Sequence, residues 1–383
     1  MEKFSLKYLL PRVDIHVYPT QFFKNFLRNT TSNLKYQLDM ATVENIEEKQ
    51  EQAIIDNKNL TRFKKRFMKR QWEDSDPDSK ENGRTEPKKA CERIKRKKMA
   101  MLLGYCGVDY YGMQRNPGVP TIEEDLLKAL YEAKYITEED FNNQQGAQFQ
   151  RSSRTDKGVS AARQVVSLKL PLEIDIEEIN KRLPQSIKVF GVKRVTNRFN
   201  SKSKCNARTY SYTLPTYVFE PSLVEEQERR LYRISAEKLQ KVNDVLGVYK
   251  GTKSYHNFTE KKHFQDPSAL RYMMSFSIEK TFVHQDMEFA VLLVKGQSFM
   301  LHQIRKMVGL MIAVVRGHAS YSILDKVFGK DKVMIPTAPG LGLVLDMVCP
   351  ILLSLHNMVS SFYTSIRPSV WPSVCHQAVS HEP

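Results

Sequence analysis

From Met99 onward, apolar segments of strand period alternate with segments of helical period, and short polar links separate them. Several neighbouring strands are joined as hairpins rather than by crossovers. This arrangement predicts an α+β fold of two similar halves with largely antiparallel sheets. The predicted strands are 99–105, 164–170, 189–196, 207–215, 271–282 and 287–299. The predicted helices are 121–134, 174–183, 235–250, 301–317 and 322–329. A capping box of Thr121 and Glu124 opens the first helix.

Charge and periodicity divide the chain into four parts. Residues 1–97 contain alternating basic and acidic blocks without periodic apolar positions. We therefore predict that they form a disordered N-terminal extension. Residues 98–213 and 214–347 are the predicted first and second α+β halves. Residues 348–383 are rich in Ser and Pro and follow neither period, which predicts a poorly ordered tail.

The composition restricts the partner more than the reaction. A formal net charge of +16 attracts polyanions and predicts nucleic acid or an acidic membrane surface as the partner, although solubility alone also accounts for it. The run 307–315, apolar apart from Gly309, is far shorter than the ~18–20 residues of a membrane span, so we expect no membrane insertion. Five scattered cysteines, without a C-x-x-C pair or a histidine at ligand spacing, predict no metal site and suit a reducing compartment.

The first segment that could carry chemistry is the loop Arg154-Thr-Asp156-Lys-Gly158. Asp156 precedes a predicted strand, where an exposed carboxylate could serve in catalysis. The alternative is an ordinary turn, because glycine supplies a positive φ and aspartate can bond its own backbone. The loop alone favours the turn.

The second segment is the helix predicted from Leu301. Arg305 shares a helical face with apolar residues 301, 308 and 312. A guanidinium in an apolar stripe needs an anion opposite it, unless the side chain extends to the edge of the helix. His302 lies next to this stripe, where a lone histidine is more often structural than a base.

The third segment is the predicted strand that contains Arg208, Tyr210 and Tyr212. Strand alternation places the three side chains on one face. Two aromatic rings and a cation form a platform on which bases can stack, and the alternative is an ordinary half-buried tyrosine pair.

Taken together, the ordered motifs of this chain resemble the TruA family of pseudouridine synthases, closest to its eukaryotic branch. The motifs are Gly112–Asn116, Arg154–Ala161, Ala207–Tyr212, His256–Thr259 and Gly296–Gly309. The resemblance extends from about residue 98 to residue 345. It implies two ferredoxin-like halves with a sheet continuing between them and a basic central cleft for RNA.

The resemblance also implies roles for individual residues. Asp156 corresponds to the family's catalytic aspartate, Tyr210 to the tyrosine that stacks on the target base, and Arg305 to the arginine that pairs with the aspartate. The other substrate-binding residues expected from it are Arg154, Gln114, Arg115 and Arg208. The implied reaction, uridine to pseudouridine in tRNA, gains no atoms or electrons, so we expect no cofactor and no metal.

Partners and location follow from the same reasoning. We expect tRNA as the substrate, with other structured RNAs such as snRNA or mRNA as further candidates, and a monomeric enzyme. The basic clusters 62–70 and 88–98 favour the nucleus, and the mitochondrion is the alternative location. Because the chain departs from the family pattern after Met347, the alternative function is an RNA-binding module of the same fold with weakened turnover.

Overall fold

The computed structural model describes residues 95–350, which fall within one compact unit. The strands are β1 (Arg96–Tyr105), β2 (Gln150–Arg151), β3 (Ser160–Pro171), β4 (Ile187–Arg194), β5 (Cys205–Pro215), β6 (Gly251–Ser254), β7 (Leu270–His284), β8 (Met287–Gly296) and β9 (Leu343–Pro350). The helices are α1 (Ile122–Glu132), α2 (Glu138–Asn142), α3 (Ile176–Arg182), α4 (Glu226–Leu231), α5 (Ala236–Gly247), α6 (Gln303–Val315) and α7 (Ile323–Lys326).

The nine strands of the described residues form one sheet in the order β4-β1-β3-β9-β5-β8-β7-β6, and β2 pairs with β3. Neighbouring strands are antiparallel except β3 and β9, which run parallel with Ser160 opposite Val344. This confirms the predicted α+β class with a mostly antiparallel sheet. β9 lies between β3 and β5, so it joins the strands of residues 96–194 to those of residues 205–296. The division into two halves remains a prediction.

The core lies on both faces of the sheet near β1. Residues Ala100 to Leu103 are consecutive and inaccessible to solvent, which requires cover on both sides of this strand. Helix α5 packs against β7 and α6 and covers the part of the sheet built from later strands. Among residues 95–350, no helix has the length and apolar content to cross a membrane.

In chain order, the first and last strands extend slightly beyond residues 98 and 347, the predicted outer boundaries of the two halves. β1 begins at Arg96, and β9 continues to Pro350 with Val348 buried. The remaining residues of the predicted extension and tail lie outside the described residues. The same holds for the basic cluster 62–70 and for most of the cluster 88–98.

Helix α1 begins at the predicted place but without the predicted capping box. Thr121 is the N-cap residue, yet its side chain accepts no capping hydrogen bond, and the Glu124 carboxylate instead forms an ion pair with Arg115. A complete capping box occurs at α2, where Thr137 and Asp140 satisfy each other's backbone N–H groups. The ion pair of Glu124 with a nearby arginine therefore outweighs the local capping pattern.

The His256–Thr259 motif stabilises the fold after α7. The side-chain nitrogen of Asn257 donates hydrogen bonds to the carbonyl oxygens of Val327 at 3.1 Å and Asp331 at 2.9 Å. Its side-chain oxygen accepts a hydrogen bond from the N–H of Val333 at 3.1 Å. One buried amide thus holds three backbone groups of residues 327–333.

Helix α6 approaches the backbone of residue 336 too closely for any side chain at Gly309. A Cβ atom on Gly309 would lie 2.1 Å from the carbonyl oxygen of Pro336. The same chain segment is hydrogen-bonded to α6 through Ala338, whose N–H donates to the carbonyl oxygen of Arg305 at 3.0 Å. This close contact positions the chain that leads into β9.

We expect Gly309→Ala to lower the free energy of unfolding by about 1–3 kcal/mol, because a backbone carbonyl cannot move aside as a side chain can. The gain in helix propensity, ~1 kcal/mol, does not offset this clash. Gly247→Ala is the control, since its Cβ would meet nothing within 4 Å. Denaturant unfolding checks both variants, and equal stability of the two would contradict the close approach.

Candidate active site

Asp156 lies on a turn between β2 and β3, as its sequence motif predicts. The N–H of Val159 donates to the carbonyl oxygen of Asp156 at 3.1 Å, and Gly158 has a φ of +76°. The preceding Thr155 is buried, and its hydroxyl shares a hydrogen bond of 2.9 Å with the hydroxyl of Tyr105. The backbone is therefore fixed on both sides of Asp156, while its carboxylate remains partly exposed.

The loop that precedes α1 supports the Asp156 turn. The N–H of Gly158 donates to the carbonyl oxygen of Tyr110 at 3.1 Å. Gly112 has a φ of +104°, and a Cβ there would lie 2.6 Å from the carbonyl oxygen of Thr155. Only glycine permits this backbone conformation and this distance. The beginning of the Gly112–Asn116 motif therefore holds the turn that carries Asp156.

Helix α6 begins at Gln303 rather than at Leu301. His302 adopts the left-handed backbone conformation, with a φ of +59°, so the helix cannot extend through it. Leu301 consequently does not share a helical face with Arg305. The predicted apolar stripe around Arg305 is correspondingly shorter.

The predicted direct pairing of Arg305 with Asp156 is not present between these two described residues. The Nε of Arg305 donates a hydrogen bond of 2.7 Å to the carbonyl oxygen of Ala338. The Oδ2 of Asp156 lies 3.9 Å from the Nε2 of His302, and the Nδ1 of His302 lies 3.8 Å from Glu260. The guanidinium of Arg305 thus bonds to a backbone carbonyl, and the imidazole of His302 lies near the carboxylate of Asp156.

On β5, Tyr210 and Tyr212 have different surroundings. The hydroxyl of Tyr210 shares a hydrogen bond of 2.6 Å with that of Ser153, and its ring contacts Phe299 edge-on at 5.2 Å. Burial raises the pKa of Tyr210 to about 12, so this hydroxyl stays protonated at neutral pH. Tyr212 is fully buried and donates to the carbonyl oxygen of Pro339, so it belongs to the core. The predicted two-ring platform therefore reduces to one ring.

Arg208 holds the backbone beside the Asp156 turn. Its guanidinium donates hydrogen bonds to the carbonyl oxygens of Ser152 at 2.8 Å and Gln297 at 2.6 Å. These contacts connect the end of β2 to the end of β8. Arg208 therefore contributes positive charge at a fixed position.

These elements converge on one cavity of about 600 Å³, within the ordinary size of ligand sites. Asp156, Tyr210 and His302 line it together with the segment before α6. Among its lining residues in the described part of the chain, Asp156 is the one carboxylate. The lining cations are Arg151, Arg154, Lys202, Arg208, Arg271 and Arg305. The cavity combines a single acid with surroundings that attract phosphate.

Two predicted substrate-binding residues, Gln114 and Arg115, do not line this cavity. Gln114 is exposed. The guanidinium of Arg115 donates to Glu124 at 2.9 Å and lies 4.6 Å above the ring of Phe141. Arg115 is thus engaged in packing between α1 and α2.

A buried carboxylate fixes one of the cavity's cations. Glu123 is 0% exposed and forms an ion pair with Arg151 on β2. Its Oε2 accepts a hydrogen bond of 2.9 Å from the backbone N–H of Arg115. Burial raises the pKa of Glu123, and the charge of Arg151 acts in the opposite direction. Glu123 is therefore the partner that holds Arg151 at the cavity.

Several residues that line the cavity are not among those that the sequence predicts. Arg151 had a usable signal, because it precedes Arg154 by three residues in the same polar loop. Lys202 and Arg271 had none, since Lys202 lies in the turn before β5 and Arg271 lies near the start of β7, far along the chain. The position of His302 beside an apolar stripe favours a structural role, whereas its imidazole faces Asp156.

Comparison with known proteins identifies similar sequences. The model of the tRNA pseudouridine synthase family matches residues 247–349. The chain is 49% identical over 281 residues to the pseudouridylate synthase 1 homolog of Mus musculus, covering 72% of this chain and 66% of that protein. It is 53% identical over 254 residues to the Homo sapiens homolog, covering 65% and 59%. It is 33% identical over 351 residues to tRNA pseudouridine synthase 1 of Saccharomyces cerevisiae, covering 71% and 64%. The chain thus spans between 59% and 66% of the length of these relatives, which is less than two thirds.

The protein has the fold of the pseudouridine synthase class, as indicated by its mostly antiparallel sheet, its loop carboxylate and these similarities. The matched family model covers β6 to β9, and the mouse and yeast relatives cover 72% and 71% of this chain. The chain belongs to the TruA family of pseudouridine synthases.

Proposed function

We propose that this chain isomerises uridine to pseudouridine in tRNA, with Asp156 as the catalytic carboxylate. The observation that carries the proposal is the cavity in which Asp156 stands as the one acid among the described lining residues, surrounded by cations. The yeast relative is named tRNA pseudouridine synthase 1, which supports tRNA as the substrate class.

The chemistry of the reaction suits these side chains. The bond between N1 of uracil and C1′ of ribose breaks, the base turns, and C5 joins C1′. C5 loses a proton and N1 gains one, so atoms and electrons balance without a further reactant. A carboxylate can stabilise the electron-poor C1′ or take up a proton, and either role suits the proposal for Asp156.

The cations of the cavity give the RNA its position. Arg154 is exposed beside Asp156, where it can meet the phosphate of the target nucleotide. The hydrogen bond to the carbonyl of Ala338 fixes the guanidinium of Arg305. Its remaining N–H groups therefore have set directions before the RNA binds. Binding should therefore weaken steeply as the salt concentration rises.

Tyr210 supplies a surface for the base that leaves the RNA stack. A base stacked on an aromatic ring gains ~1–3 kcal/mol, which offsets part of the stacking lost in the RNA. Because the Tyr210 hydroxyl remains protonated and bonded to Ser153, the ring rather than the hydroxyl carries this role.

Tyr210→Phe should therefore keep most of the turnover, since the ring remains. We expect the rate of pseudouridine formation to fall by less than about tenfold and stability to fall by about 1 kcal/mol, the contribution of one hydrogen bond. Ser153→Ala removes the same bond from the other side and should have a similar cost. Loss of turnover in Tyr210→Phe with full activity in Ser153→Ala would assign chemistry to the hydroxyl.

The direct test is to incubate the protein with unmodified tRNA and to map pseudouridine by carbodiimide labelling and primer extension. We expect stops at defined uridines that depend on the protein. A folded protein that binds tRNA without producing these stops would instead be an RNA-binding module, the alternative function. Purified protein that neither binds nor modifies tRNA would overturn both.

The proposal extends to substrate range, assembly and location. We propose that other structured RNAs with an accessible uridine are further substrates, that the enzyme acts as a monomer, and that it works in the nucleus. The basic clusters of the N-terminal extension support the nuclear location. Carbodiimide mapping of snRNA and mRNA, light scattering and fractionation of cells test these three points separately.

A further inference from the structure

The side chain of Leu301 is exposed at the rim of the Asp156 cavity. It is 54% exposed and belongs to the residues that line the cavity. A single exposed leucine is ordinary on a protein surface. Its position beside six cations in a site for RNA is not ordinary, because an apolar side chain contributes nothing to phosphate binding.

The backbone holds Leu301 in a rigid turn between β8 and α6. The N–H of Met300 donates to the side-chain oxygen of Gln303 at 2.8 Å, and the N–H of Gln303 donates to the carbonyl oxygen of Met300 at 3.1 Å. Gln303 is fully buried, so this reciprocal bond is protected from water. His302 next to it has the left-handed φ of +59°, a conformation that non-glycine residues keep only where their surroundings enforce it.

The neighbours of Leu301 in this turn have other contacts. Phe299 packs edge-on against Tyr210, and Met300 packs against the hydrophobic core. His302 stands between Asp156 and Glu260. Leu301 is the apolar side chain of the turn that faces outward, and the fold keeps it there.

We propose that Leu301 inserts into the base stack of the RNA and occupies the space that the target uridine leaves. This inference rests on the proposed function, because a uridine that reacts at C1′–N1 in the cavity must first leave its stack. Rigid apolar side chains are used as wedges between stacked bases in other nucleic-acid-binding proteins. The exposed leucine acts on the RNA outside the cavity, while Tyr210 receives the base inside it.

The first experiment compares Leu301→Ala with Leu231→Ala, which truncates a leucine that is 68% exposed on α4, away from the cavity. Single-turnover rates are measured on a tRNA whose modified uridine has been mapped, and on the same tRNA with an abasic residue next to that uridine. On the intact tRNA we expect a loss on the order of tenfold for Leu301→Ala and no change for Leu231→Ala. On the abasic tRNA, Leu301→Ala should match the wild type, because no stacked neighbour opposes the flip.

The second experiment observes unstacking without turnover. In the Asp156→Ala background, binding to a tRNA with 2-aminopurine beside the target uridine should raise its fluorescence, and Leu301→Ala should reduce this rise. If Leu301→Ala has the same rate as the wild type on intact tRNA and leaves the fluorescence rise unchanged, Leu301 does not act as a wedge, although the proposed enzyme activity still holds. A wild type that forms no pseudouridine would instead overturn the proposed function. An oligomer in light scattering that Leu301→Ala dissociates would assign the leucine to a protein interface and also overturn the proposal.

Discussion

Replacing Asp156 by asparagine should lower the rate of pseudouridine formation by roughly 10³-fold, the usual cost of losing a group that acts in the transition state. Asparagine keeps the size of the side chain and the turn, because the backbone carbonyl of residue 156 still accepts the N–H of Val159. The carboxylate is partly exposed, so its removal leaves no buried partner charge. Stability should therefore stay within about 0.5 kcal/mol of the wild type.

The affinity for tRNA separates catalysis from positioning in this variant. Since the substitution removes the one acid among the cavity's described lining residues, tRNA should bind the variant at least as tightly as the wild type. Asp109→Asn is the matched control, because Asp109 is exposed in the loop before Tyr110 and does not line the cavity. It changes the net charge equally and should keep full turnover. An Asp156→Asn enzyme with near-normal turnover would show that another group performs the chemistry.

The sequence predicted the type of fold because strand and helix periods are local properties. The apolar run of β1 and the partial hydrophobic alternation of β3, β5 and β8 are each readable within a single strand, and the hairpin from β7 to β8 follows from a short link. The position of β9 between β3 and β5 was not predictable in this way. Its partner residues, such as Ser160 and Val344, are far apart in the chain, and no local pattern encodes their pairing.

The candidate site was predictable where a motif specifies a backbone shape. Asp156 and Gly158 form the turn that their sequence indicates, and Tyr210 lines the cavity. The partner of Arg305 was not predictable, because it is the backbone carbonyl of Ala338. Any residue offers such a carbonyl, so composition gives no signal for it.

The start of α6 shows how tertiary structure overrides helical period. Leu301 and His302 fit the apolar and polar positions of a continuing helix, yet the left-handed φ of His302 ends the pattern. The side chain of Gln303 accepts the N–H of Met300 and so stabilises a turn there. Periodicity describes which side chains could share a face, and this hydrogen bond decides where the helix begins.

Glu123 was hidden from sequence reasoning for a similar reason. An acid in the first turn of a helix is ordinarily an exposed residue that interacts favourably with the helix dipole. Here it is 0% exposed and meets Arg151 from β2, a short strand that pairs with β3. The pair therefore connects the start of α1 to the wall of the cavity, and its loss should affect both stability and the site.

Arg151→Met should lower the free energy of unfolding by about 3–5 kcal/mol, because it leaves the Glu123 carboxylate buried without its counter-charge. Methionine keeps much of the volume of the arginine stem, so the loss reports charge more than packing. Chemical denaturation of the whole chain measures it. Replacing both residues, as Glu123→Gln with Arg151→Met, removes the uncompensated charge and should restore most of the stability.

The pH dependence of the same variant separates an electrostatic cause from a packing defect. Burial already raises the pKa of Glu123 above its ordinary value of 4.5, and removing Arg151 raises this pKa further. A carboxyl whose pKa is raised in the folded state favours folding when protonated, and this advantage is lost as the pH rises through the folded-state pKa. The stability difference between Arg151→Met and the wild type should therefore shrink as the pH falls towards 4.5 and below, while the double variant shows no such change. A deficit that stays constant between neutral and acidic pH would mean that arginine stabilises this region by packing, and that Glu123 does not depend on its charge.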